Sequence, residues 1–170
     1  MQVAPLPDNE AERLAALHAL LILDTPPEQR FDKIVQFAAT EFAVPVVLIT
    51  LLDAERQWFK ASVGATVCET ARDVSLCSHA ILQPDIMVVP DALADPRFAD
   101  NPLVTGEMRG DMQLRFYAGA SLTMRAGLRL GTLCLIDTQP RSLDAMELGI
   151  LSTLRDLVVM ELDQRDGAHD

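Results

Sequence analysis

A chain of 170 residues is long enough for one domain with a substantial core, and 49% hydrophobic residues argue for a folded globule rather than disorder. A net charge of −11, with no basic stripe, argues against a nucleic-acid partner, because phosphate backbones repel such a surface. No apolar run reaches the roughly 18 residues that span a bilayer, so no membrane partner is expected.

Met1 to Asn9 lacks the basic start and apolar core of a signal peptide. The three cysteines (Cys68, Cys77, Cys134) are odd in number and widely spaced, as reduced thiols are, so the expected location is the cytoplasm.

In chain order, Asn9 to Leu23 reads as a helix, with Asn9 as N-cap, Glu12 in capping-box position, and Thr25-Pro26-Pro27 as the stop. Phe31, Ile34, Val35, Ala38, Ala39 and Phe42 then follow the i, i+3, i+4, i+7 spacing of a second helix. Val46 to Leu52 is apolar on both faces and β-branched, a strand covered on both sides. Asp53 to Arg56 turns it into a second strand, Gln57 to Val63, closed by Gly64.

A short helix is predicted from Ser75 to Leu82, stopped by Pro84, followed by an edge strand over Ile86 to Val89. Asp95-Pro96 opens one helical turn that Asn101-Pro102 closes. Phe116 to Thr123 and Arg129 to Ile136 are strands joined through Arg125-Ala126-Gly127, and Leu143 to Leu162 is the last long helix. Short turns between neighbouring strands favour antiparallel pairing. The fold class is therefore α+β: a central antiparallel sheet of about five or six strands with helices on both faces, as one domain with its core over residues 10–162.

The last helix holds more apolar residues than one face needs. Leu143, Met146, Ile150, Leu157 and Met160 run near heptad spacing beside Leu151, Leu154, Val158 and Leu162, which predicts a homodimer through bundled terminal helices.

Side chains two apart on a helix point about 200° apart, so Cys77 and His79 do not converge on one metal. Cys77 falls with Leu76, Ala80 and Ile81 on an apolar face, and His79 lies off it. Cys134 sits mid-strand in an apolar run, the usual place of an inert thiol. No P-loop or dinucleotide-binding glycine motif is present. The expectation is no catalysis, no metal and no cofactor. Trp58 and Phe59 face opposite sides of their strand, so either both are core or one of them lines a pocket on the sheet. Arg115, Phe116 and Tyr117 stand where a polar loop enters a strand. Arg72, Arg97 and Arg115 either meet an anionic ligand or pair with Asp91, Asp95 or Asp100.

Several stretches resemble one family in the order that family has them. They are Arg13 to Leu17, Leu23-Asp24-Thr25-Pro26-Pro27-Glu28, Asp53 to Lys60, Ser75 to Leu82, and the block from Asp91 to Asp137. Together they resemble bacterial GAF sensor domains, similar to modules that stand alone or precede histidine kinase or diguanylate cyclase domains. The resemblance implies a ligand pocket between one sheet face and the loops after the middle helix, and no catalysis. Carried onto this sequence, that pocket draws on Trp58 or Phe59, Cys77, His79, Asp91, Phe98, Arg115, Phe116 and Tyr117. It implies an unidentified small-molecule ligand, dimerising terminal helices, and a kinase or cyclase output domain or partner. Bilin-binding relatives place cysteine directly before histidine; Ser78 intervenes here. The methionine sulfoxide reductase branch places its three cysteines in another local context. The segment Thr105 to Leu114 is longer than the family's pattern.

Overall fold

A computed structural model of the protein describes residues 1–106 and 113–167, with no account of the side chains of residues 166 and 167. Six antiparallel strands form one sheet: β1 (Val46–Leu52), β2 (Arg56–Val63), β3 (Glu69–Ala71), β4 (Ile86–Val89), β5 (Phe116–Thr123) and β6 (Arg129–Asp137). Their order across the sheet is β3-β2-β1-β6-β5-β4. The expected α+β class and antiparallel sheet are what the structure has.

Alternation along the strands divides the core into two layers. Val47, Ile49 and Leu51 of β1, Phe116, Ala118 and Ala120 of β5, and Leu133 and Leu135 of β6 face one way. Onto them pack α2 (Gln29–Phe42), the inner side of α5 (Ala145–Gly167), and α1 (Glu10–Ala19). Leu48, Leu52, Phe59, Tyr117, Cys134 and Ile136 face the other way, beneath α3 (Cys77–Ala80), α4 (Pro102–Thr105) and the connections between them. The α2 stripe of Phe31, Ile34, Val35, Ala38 and Phe42 is buried, and each of the larger side chains contributes about 1.5–3 kcal/mol when removed from water.

A bulge sorts β2. Ile49 pairs with Ala61 and Thr50 with Phe59, which leaves Lys60 without a partner on β1. Lys60 turns to the helix side, where its Nζ donates to Thr25 Oγ1 and Pro26 O, pairs with Glu28 at 2.7 Å, and sits over the Phe31 ring.

Three local expectations are corrected. The first helix ends at Ala19, not Leu23, because Leu21 takes a left-handed φ of 53° and Arg165 occupies the carbonyls of Leu20 and Leu21. Asn9 stands at its N-terminus without a side-chain cap. The helix expected over Ser75 to Leu82 shrinks to α3, because a 3₁₀ turn at Arg72–Val74 precedes it and a turn follows. Asn101-Pro102 does not close a helical turn but opens α4, where Asn101 caps by accepting from Leu103 N at 2.9 Å. The lengthened segment from Thr105 to Leu114 lies mostly outside the described residues.

Candidate functional site

The sheet face away from α1, α2 and α5 carries the candidate site. At its centre lies the Cys77 sulfur, presented by α3. Tyr117 Oη donates to it at 3.0 Å and Thr132 Oγ1 at 3.1 Å, and the Cys134 sulfur lies 4.0 Å away. Thr132 Oγ1 is in turn 3.0 Å from Thr50 Oγ1 on the neighbouring strand. Ser121 Oγ bonds the carbonyls of Ala80 and Gln83 at 3.0 and 3.1 Å, which ties the end of α3 to β5. A row of small hydroxyls and thiols on one face is what lets α3 approach the sheet so closely.

Burial raises the Cys77 thiol, but the hydrogen bonds from Cys134, Thr132, Tyr117 and Thr50 outweigh it and hold the group below its ordinary value. Burial, with Cys77 as neighbour, holds Cys134 well above the ordinary thiol range. Burial likewise pushes the Tyr117 phenol up.

Beside this cluster, between the ends of β1, β2 and β6 and the residues Leu103 and Leu114, lies a cavity of about 50 Å³. Val46, Leu48, Phe59 and Ile136 form its apolar floor, and Gln57 and Thr70 supply polarity. Gln57 is fixed on both sides, accepting from Ser75 Oγ and donating to Thr70 Oγ1. A volume of that size holds a few water-sized molecules, whereas drug-sized ligands fill roughly 300–1,000 Å³. A larger occupant needs the wall at Leu103 and Leu114 to move.

The nine residues expected at a pocket separate into four groups. Phe59, Cys77, Phe98 and Tyr117 share the buried layer under α3 and α4, and Phe59 reaches the cavity. His79 packs edge-on to Phe98 at 4.9 Å, and its Nε2 lies 3.0 Å from Gln2 O; burial lowers its pKa from the ordinary value. Asp91 and Arg115 border the layer and serve the backbone. Asp91 accepts from Leu93 N, and Arg115 donates to Val104 O, Leu114 O and Gln113 Oε1. Trp58 and Phe116 stand on the opposite face, inside the helix-side core, because each is one strand position away from a cavity-side neighbour. Phe116 lies there beneath the Arg141 guanidinium.

The three arginines weighed as anion binders are held by the protein. Arg72 pairs with Glu10, Arg97 with Asp95 at 2.8 Å, and Arg115 spans carbonyls. Sequence reasoning did not find the cavity walls Gln57, Ala65, Thr70 and Leu103, since β3 is too short to show a pattern. The readable signal was the position of Gln57, two residues before Phe59 and so on the same strand face.

Among known proteins, the model of the GAF domain matches residues 26–162. A cyclic di-GMP phosphodiesterase of Pseudomonas aeruginosa is 44% identical over 141 residues, which is 83% of this chain and 23% of that protein. This chain thus spans about a quarter of its relative. The GAF domain of an Acinetobacter phosphoenolpyruvate-protein phosphotransferase superposes with a TM-score of 0.64 at 18% identity, over 94% of this chain and 95% of that one. A type II free methionine-R-sulfoxide reductase from Thermoplasma acidophilum superposes with a TM-score of 0.61 at 16% identity, over 88% and 95%. At those identities the two structures speak for the fold, and the family match covers most of the chain. The protein belongs to the GAF domain family.

Proposed function

We propose that this domain is a non-catalytic sensory module of cyclic di-GMP signalling, which binds a small molecule on the α3–α4 side of its sheet and relays the event through α5. The observation that carries this reading is the 44% identity to a cyclic di-GMP phosphodiesterase of which the matching region is only 23%. A segment of that size, with its own two-layer core, fits a regulatory domain attached to an output domain or partner such as a cyclase or kinase. The absence of catalysis is supported by His79, which faces Phe98 and Gln2 rather than Cys77.

The ligand would enter over Gln57 and Thr70, the two polar groups of the cavity wall. Of the nine residues expected from the sequence, Phe59 at the cavity and Cys77, Phe98 and Tyr117 in the layer beside it would respond to it. The relay would use a homodimer. Met146, Ile150, Leu157 and Met160 follow heptad spacing along α5; Met146, Leu157 and Met160 are exposed and Ile150 is half-buried. Thermal unfolding in the presence of a metabolite panel tests the sensor: a saturable rise in Tm supports it, because a ligand that binds only the folded state stabilises by mass action. No shift across the panel counts against it.

A second reading has its own observation. Phe98 and Tyr117 are 0% and 1% exposed and fill the layer where a ligand would lie. That arrangement favours a dimerisation module packed by its own side chains. The panel separates the two readings, since the second expects a dimer and no Tm shift.

A further inference from the structure

The geometry points to Cys77 and Cys134 as an internal thiol pair that a small hydroperoxide oxidises to a disulfide, stapling α3 to the central strand β6. This site shares Cys77 and the cavity with the ligand reading above, but its chemistry needs no bound metabolite.

Four observations carry it. The two sulfurs lie 4.0 Å apart, on α3 and β6, which the Thr132 hydroxyl of β6 already joins by donating to Cys77. Among the described residues both cysteines are free, and both belong to the buried layer. The hydroxyls of Tyr117 and Thr132 converge on the Cys77 sulfur at 3.0 and 3.1 Å, which makes the pair chemically unequal. A sulfur that accepts several hydrogen bonds is the one better able to carry the thiolate charge.

Neither sulfur lines the cavity, and the route to them would start at its walls. Leu48 and Ile136 line it, Leu48 is the cross-strand partner of Cys134, and Ile136 is the next residue on the same face. A volume of about 50 Å³ admits hydrogen peroxide or a short alkyl hydroperoxide but not glutathione.

The chemistry balances in two steps. The Cys77 sulfur attacks the nearer peroxide oxygen, the O–O bond breaks, and the alcohol or water leaves with the thiol proton, giving a sulfenic acid. The Cys134 sulfur then attacks that sulfenic sulfur; an S–S bond forms, the S–O bond breaks, and water leaves with the Cys134 proton. Two thiols lose two electrons, and one hydroperoxide gains them. Tyr117 and Thr132, which hold the Cys77 sulfur before attack, lose a thiolate-like acceptor when the disulfide forms.

The test uses the full chain carrying Cys68→Ser, which removes the exposed thiol. The folded protein is treated with hydrogen peroxide, quenched, denatured and alkylated. The expected result is loss of both alkylatable thiols and a non-reduced tryptic fragment joining Cys77 to Cys134, which dithiothreitol restores. In the same background Cys134→Ser leaves a dimedone-reactive sulfenic acid at Cys77. If a single variant does not fold, the cross-link in the Cys68→Ser chain decides alone. Two thiols that stay fully alkylatable, overoxidation without the cross-link, or cross-links only between chains each overturn the proposal.

Discussion

Tyr117 leans along its strand over Gly119, and a Cβ at Gly119 would collide with the phenol ring and its hydroxyl. The bare backbone at position 119 therefore sets where Tyr117 lies and lets its hydroxyl reach Cys77 across 3.0 Å. Gly119→Ala is expected to force Tyr117 out of this seat and lower stability by about 1–3 kcal/mol, as overpacking does, measured by urea unfolding.

Two changes at Tyr117 separate its hydroxyl from its ring. Tyr117→Phe removes one donor to Cys77 and is expected to cost about 0.5–1.5 kcal/mol. Tyr117→Ala opens space under α3 and is expected to cost about 3–5 kcal/mol. If the layer is a latent pocket, the alanine variant gains Tm with small aromatic molecules while the native protein does not.

Glu10 joins α1 to the sheet through Arg13 and Arg72, which are themselves buried. Burial raises its carboxyl, but the two guanidinium groups outweigh that and hold its pKa at about 2. A carboxyl lowered on folding stabilises the native state fully above its ordinary pKa of 4.5, and that contribution is lost as pH falls from 4.5 toward 2. Glu10→Gln is expected to lower stability at pH 7 by about 1–3 kcal/mol and to flatten this part of the pH profile. Urea midpoints between pH 7 and pH 3 check both.

His79 gives a signal of the same sign in a higher pH window. Its pKa is lowered chiefly by burial, so between its folded value and the ordinary 6.5 the unfolded chain binds more protons. Stability is therefore expected to fall as pH drops below 6.5. His79→Gln should remove that slope, read from Tm against pH.

Ala65 borders the cavity and is only partly buried. Ala65→Met is expected to fill the space while changing stability by less than about 1.5 kcal/mol. Any ligand-induced rise in Tm should then disappear, and a rise that survives would place the ligand elsewhere.

Leu157→Glu puts a charge into the exposed apolar line on α5. The expected outcome is a monomer mass by light scattering at micromolar concentration where the native chain gives a dimer, with an unchanged melting profile at low concentration.

The strand from Val46 is legible because a β-branched apolar run between turn residues leaves little choice, and those from Phe116 and Arg129 because two apolar runs flank Arg125-Ala126-Gly127. The helix-side stripe of α2 was equally plain. What stayed hidden depended on partners far along the chain. Nothing near Leu21 announces that Arg165 will take its carbonyl and end α1. Within the site, Phe116 and Tyr117 are adjacent in one strand, and the two-residue alternation of a strand puts them on opposite faces. The sequence could have excluded one of them but not said which. Gln57 and Thr70 became visible as cavity residues only once β3 paired with β2.

Arg165 gives the fold a mechanical property. Its guanidinium grips the carbonyls of Leu20 and Leu21 across 2.8 and 2.6 Å, and its charge also lies 3.5 Å from Glu28. The far end of the molecule's longest helix is thereby latched to the hinge between its first two. These contacts tie the last turns of α5 to the segment leading into α2 without involving the sheet.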